Sequence, residues 1–341
     1  MFAALRRRVD SLSESRLPLL AWLLVVAGGV AALVCAMVPV GPDWLGGAGA
    51  VAVAGAYSWA LAARTGGRPV VFGALAVLIG VAVLVIDDDR LRTGASVMTC
   101  VVAAVLGVMA TVPAASYPRA VRECVVAVLI GAGGALATIG FEPTITVTRF
   151  EYATFGLALA ASFVVVYRLG AGLHGLGRRG FVIVVVGGLL LAGTLLYAEL
   201  LRRYGPPDLV TDLLDAVRWC REHLGAFPRP IISVLGVPAL AYGVHMRARR
   251  RQGWWVCAFG AAATSAVANS LVNPAIERTE SALSVLYGLV VGLVLGYVVV
   301  RLDQLLTGSR ASGGRARGRR SRRDEQAAAL RPEPARGQAL L

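Results

Sequence analysis

Apolar runs of about 16 to 24 residues recur along the whole chain, separated by short polar breaks that carry arginine. A bilayer's hydrocarbon core is about 30 Å thick and takes roughly 20 helical residues to cross. Ten segments reach or approach that length: 17–40, 44–63, 69–86, 95–112, 121–140, 152–169, 181–201, 231–246, 254–272 and 282–300. Backbone polar groups inside hydrocarbon must be satisfied within their own segment, so the pattern predicts α-helices. The expected fold is all-α, a polytopic transmembrane helix bundle of about ten spans. Residues 1–16 precede it, 17–306 build it, and 307–341 follow as a tail. Arg6, Arg7 and Arg8 before the first run imitate a signal peptide. That run is too long for a signal core and lacks a small-residue cleavage site, so it reads as a retained span.

Composition agrees. The 341 residues are 57% hydrophobic and 16% charged, with a mean hydropathy of +0.69. Soluble domains average roughly 45–50% apolar and about 25% charged residues. All 34 cations are arginine, against 20 acids, for a net charge of +14. The lack of lysine, with abundant Ala, Gly, Val and Leu, points to a GC-rich bacterial genome. Cytoplasmic loops concentrate cations. With the N-terminus inside, short inner segments hold 15 arginines and short outer loops hold 4. Both termini are then cytoplasmic and the protein sits in the cell (inner) membrane. Trp22, Trp44, Trp59, Trp254 and Trp255 fall near span ends, where interfacial indoles are expected.

Two segments lie outside the spans. In the outer loop 202–229, Gly205-Pro206-Pro207 breaks the preceding helix, Asp208 can start a new one and Gly225 can end it. Leu209, Leu213, Val217, Cys220 and Leu224 follow helical spacing, which predicts an amphipathic helix. It reads as a packed connector, a helix lying on the membrane surface, or a lid. The tail is rich in Arg, Gly, Ser, Ala and Pro and cannot build a core, so it is expected to be disordered. Its cluster Arg315, Arg317, Arg319, Arg320, Arg322 and Arg323 suits the lipid bilayer's anionic headgroups and anchors the topology. No motif supports specific nucleic-acid binding.

Candidate chemistry is sparse. Ser265, Asn269 and Asn273 share one helix face, and the two asparagines are the only ones in the chain. Carboxamides in hydrocarbon need partners, so this face should point into the bundle as a solute contact or as interhelical glue. Pro238 interrupts the short eighth span, and broken spans mark binding sites in some transporters. Glu199, near the end of the seventh span, is an intramembrane carboxylate or a snorkelling partner of Arg202 or Arg203. Asp87, Asp88, Asp89, Glu142, Glu151, Glu277 and Glu280 would form an outer acidic rim if the outer helix ends converge. The three adjacent aspartates lack calcium-loop spacing and read first as a solvated helix end. Ser284, Gly288, Gly292 and Gly296 repeat every fourth residue and predict close helix packing, within the chain or in a homodimer.

Other patterns carry no site. Gly170–Gly175 matches a dinucleotide fingerprint but sits between two membrane spans instead of in a βαβ unit. Five scattered cysteines and three distant histidines suggest neither a disulfide framework nor a metal site, and no motif asks for a cofactor. Three function classes remain. They are a small-solute transporter or permease with a polar site in the outer half of the bundle, a membrane-embedded enzyme acting on a lipid-linked envelope substrate at the outer face, and a non-catalytic assembly or scaffold protein. A catalytic residue is unassigned, and the reading leans away from an enzyme.

Overall fold

The computed structural model describes residues 17–38, 40–169, 177–248, 253–274, 276–311 and 333–340. Among them are eleven helices and no strand. In order these are α1 (Leu17–Met37), α2 (Trp44–Arg64), α3 (Pro69–Ile86), α4 (Asp89–Met109), α5 (Tyr117–Gly140) and α6 (Val147–Arg168). Then come α7 (Gly177–Tyr204), α8 (Pro207–Leu224), α9 (Ile231–Arg247), α10 (Gly253–Val272) and α11 (Arg278–Ala311). Nine of them are long and apolar enough to cross a membrane, and α9 is a shorter tenth. The chain is a multi-pass integral membrane protein.

Helices outrun the apolar segments because backbone hydrogen bonding continues past the hydrocarbon-like residues. α4 starts at Asp89 instead of residue 95, since the Asp88 carboxylate accepts from the amides of Arg90 and Leu91 and caps it. α11 continues to Ala311. Short connections make successive spans antiparallel. One end of the bundle therefore gathers Arg64, Arg247 and the C-terminal residues, and is called the tail end; α8 marks the opposite, loop end.

The centre is α10. Of its span 89% is buried, against 6% for α7. It packs on α4, α5, α6 and α9. Small residues allow this closeness: a Cβ on Gly131 would stand 3.0 Å from the carbonyl oxygen of Thr264, and one on Gly243 would stand 2.8 Å from the amide of Cys257. α9 opens with a π-helical turn, Ile231–Gly236, followed by an α-helical part, Val237–Arg247. Pro238 lies at the start of that second part, so the donor it lacks falls where the helix already changes its hydrogen-bond pattern.

The Ser284–Gly296 stripe of α11 is used inside the chain, against α9. Ser284 Oγ donates to the carbonyl of Phe227 at 2.7 Å, and a Cβ on Gly292 would lie 2.6 Å from Cβ of Val237. Gly288 faces Ile232, and Gly296 faces Ala241. Gly292→Leu should therefore destabilise by about 3 kcal/mol. The check is a thermal melt in detergent, with Gly188→Leu as control, since nothing lies within 4 Å of a Cβ at Gly188.

Three expectations change. Trp254 and Trp255, at the start of α10, are buried in the bundle instead of facing outward. α8 is the amphipathic helix foreseen, but none of its residues is buried, so it is no packed connector. Its C-terminal end is tied down by Arg221–Glu280 at 3.1 Å and by Tyr287 donating to the carbonyl of Leu224 at 2.8 Å. Lastly, one part of the tail is ordered: residues 333–340 dock on the tail end, with Leu340 against the main core. The N-terminal segment 1–16, Gly170–Gly175 and the arginines Arg315–Arg323 lie outside the described residues.

Candidate functional site

An apolar cleft of about 820 Å³ lies between α3 and α4. It exists because α3 leans on α2 and touches α4 little. Gly55, Gly73 and Gly80 bring α2 and α3 together: a Cβ on Gly73 would lie 3.0 Å from Cβ of Trp59, and one on Gly80 would lie 2.9 Å from Cγ2 of Val51. Ala54, Ser58 and Leu61 of α2 form the back wall. Phe72, Leu75 and Ile79 face Leu91, Met98 and Val102 across the opening. Two wall hydroxyls are occupied by their own helices, Thr99 donating to Ala95 O at 2.7 Å and Thr65 to Leu61 O at 2.8 Å. The wall thus offers hydrocarbon contact. Arg90 stands at the loop end of the cleft and Arg168 at the tail end, both exposed. The 18 residues of α3 span roughly 27 Å at 1.5 Å per residue, close to the thickness of the hydrocarbon core.

Several acids of the expected outer rim make local pairings. Asp87 pairs with Arg92 at 2.5 Å, and Arg92 also reaches Glu142 at 3.4 Å. Asp87 and Glu142 both adopt positive φ, 55° and 49°, where α3 and α5 end. Asp89 accepts from Thr144 Oγ1 at 3.0 Å. Elsewhere on the loop end, Glu151 meets Arg229 at 3.5 Å and Glu280 meets Arg221. Burial lowers the pKa of Arg229 and Glu151 opposes that shift. Glu277 is exposed. Asp88, as a helix cap, is the aspartate that matters for stability. Asp88→Ala should cost about 1 kcal/mol, and Asp87→Ala and Asp89→Ala about half of that or less, read by melting in detergent.

The polar face of α10 does point inward. Asn269 is 6% exposed, and its Oδ1 accepts from Thr154 of α6 at 2.9 Å. Ser265 is fully buried, and its Oγ has no hydrogen-bond partner. Asn273 is half-buried at the loop end. The cavity beside Asn269 and Asn273 is only about 10 Å³, room for one water at most. On this face Asn269 makes a hydrogen bond between α10 and α6. Pro238 is buried in α9 and lines no cavity beside that face. The side chain of Glu199 lies outside the described residues.

A second polar centre escaped the sequence reading. At the tail end, Arg64 of α2, Glu123 of α5, Arg247 of α9 and Thr111 after α4 meet in a buried socket. Arg247 lies 3.5 Å above the ring of Trp254 and donates to Thr111 Oγ1 at 2.7 Å and to its carbonyl at 3.0 Å. Glu123 accepts from Arg122 Nη2 at 2.9 Å and from the amide of Val112 at 3.0 Å. Arg64 Nε donates to the carbonyl of Met109 at 3.0 Å. Residues 333–340 complete the socket. Glu333 pairs with Arg247, and Arg336 donates to Glu123 Oε2 at 2.6 Å. Arg64 Nη1 donates to the carbonyls of Ala335 at 2.7 Å and Gln338 at 2.6 Å. One signal was available: Glu123 lies within the apolar segment 121–140, and an intramembrane carboxylate is a candidate by default. Arg64 and Arg247, at span ends, looked like ordinary topology charges.

Compared with known proteins, the chain matches no family model, no curated protein and no solved structure.

Proposed function

We propose that this membrane protein binds a long-chain anionic lipid lengthwise in the α3–α4 cleft and belongs among proteins that handle or move lipids. The observation that carries the reading is the cleft itself. It is deep, apolar and close to bilayer thickness, with a guanidinium at each end. Acyl or isoprenoid chains suit its wall, and Arg90 or Arg168 suits a phosphate headgroup. The transport class is kept, with an amphiphile in place of a small solute, because the Asn269 face offers space for no more than a water. The same cleft would present a lipid-linked substrate to an enzyme, but its lining offers hydroxyls without a carboxylate, histidine or cysteine beside them. The tail end is proposed as the cytoplasmic side, from its arginine excess.

The test uses protein reconstituted with a phosphatidic acid carrying a photoreactive group on its acyl chain. Cross-links should concentrate on Leu75, Ile79 and Met98. A Cβ at Gly94 meets nothing within 4 Å, so Gly94→Phe can fill the cleft without disturbing the helices. That variant should lower labelling at these positions at least fivefold. Arg90→Gln with Arg168→Gln should weaken the preference for phosphatidic acid over a neutral diacylglycerol probe. Labelling spread evenly around the bundle, unchanged by Gly94→Phe, would end the proposal.

A further inference from the structure

We infer that the tail-end socket is a peptide-binding site, and that residues 333–340 occupy it as a built-in ligand that leaves without unfolding the bundle. The inference is independent of the lipid reading. Its ligand is a short peptide that turns at 335–338, with a carboxylate, a guanidinium three residues later, and an aliphatic side chain four residues beyond, as in Glu333, Arg336 and Leu340.

The contacts are those of recognition more than of core packing. Among the described residues the segment has no regular secondary structure, and 335–339 are exposed. It is held by two ion pairs, by carbonyls presented to Arg64, and by the amide of Leu340 donating to the carbonyl of Arg64 at 2.8 Å. Leu340 is the one residue of the segment packed on the core. Little apolar area therefore resists its departure, and segments of this kind open locally.

The socket also stands without its ligand. Glu123 keeps Arg122 and the Val112 amide, Arg247 keeps Thr111 and Trp254, and Arg64 keeps the Met109 carbonyl. Even with the segment docked, Arg64 Nη2 is buried without a hydrogen-bond partner, so a donor in the socket stays unused. Arg64 and Arg247 against Glu123 leave the empty socket cationic, which selects a ligand that leads with a carboxylate. The segment reaches it through 21 residues, 312–332. Such tethering supplies an effective concentration on the order of mM, so even a weak intrinsic affinity keeps it docked.

The test cuts the full-length protein after it has folded, at a protease site replacing residues 324–329. The released fragment should wash away on dilution at moderate salt, while helicity and monodispersity are retained. A fluorescent peptide of residues 331–341 should then bind the emptied bundle saturably, and the same peptide with Glu333→Ala should bind at least tenfold more weakly. The uncut chain, with its socket filled, should bind neither. Hydrogen exchange on the uncut chain is the second measurement. The amides of 338 and 340 should exchange faster than those of α10 and slower than in the free peptide. The inference fails if the fragment leaves only when the bundle unfolds, if wild-type and Glu333→Ala peptides bind alike or not at all, or if exchange at 338 and 340 matches α10 or the free peptide.

Discussion

Gly236→Val is expected to yield no folded protein. Gly236 ends the π-helical turn of α9 and faces Ala263 in the middle of α10. A Cβ there would lie 2.6 Å from both Cα and Cβ of Ala263, and closer still to its amide nitrogen. The obstacle is backbone, so no side-chain rotation relieves it. Ala263 cannot retreat, because α10 is enclosed by α4, α5 and α6. Overpacking a core costs about 1–3 kcal/mol when side chains can adjust, and more when they cannot. Even Gly236→Ala should lower the yield of monodisperse protein severalfold. Gly94→Ala is the control: its Cβ meets open space, and it should be neutral or slightly stabilising, since Gly in a helix costs roughly 0.5–1 kcal/mol relative to Ala. Size-exclusion profiles of the three variants in one detergent check the order. Equal recovery of Gly236→Val and wild type would mean that α9 and α10 are not in contact at this point.

Arg247→Ala should be the most damaging single change of a charged residue. The guanidinium is completely buried, lies over Trp254, donates twice to Thr111 and meets Glu333. Charge-assisted hydrogen bonds contribute roughly 1.5–3 kcal/mol, and a desolvated cation–π contact about 2. These are not additive, and a loss of about 3 kcal/mol is expected. Arg247→Met keeps the stem over the indole and should recover about half of the loss. Glu333→Ala should cost less than Arg247→Ala, because a departing tail lets water reach the guanidinium. The three variants in one thermal series separate the framework role of Arg247 from its role toward the tail. Equal effects of Arg247→Ala and Glu333→Ala would make the tail contact its whole contribution.

Hydropathy made the spans legible because lipid imposes one demand on every crossing segment. It also marked the inward face of α10, since Asn269 cannot sit against hydrocarbon unpartnered. It could not show which helices separate. The cleft depends on where small residues draw α3 onto α2, and Gly73 and Gly80 look no different in sequence from the many other glycines. The socket was hidden for a second reason. Arg64, Glu123 and Arg247 lie on three spans far apart in the chain, and the two arginines, at span ends, resemble topology charges. The tail's composition masked its last residues, where a few well-placed contacts suffice and no core is needed. The acidic rim shows the converse: a sequence cluster, Asp87–Asp89, whose members the fold assigns to capping and local pairing.

α10 bears on how the bundle is made. It carries Thr264, Ser265, Asn269 and Ser270 on a helix that is less apolar than α3. Membrane insertion of an isolated segment grows less favourable with each such residue. Its main partners, α4, α5, α6 and α9, are all synthesised before it. α10 therefore behaves as a keystone: it enters a slot already built by earlier helices, paired with α9 as a hairpin, and the nascent chain gains its stable form only when this piece is delivered.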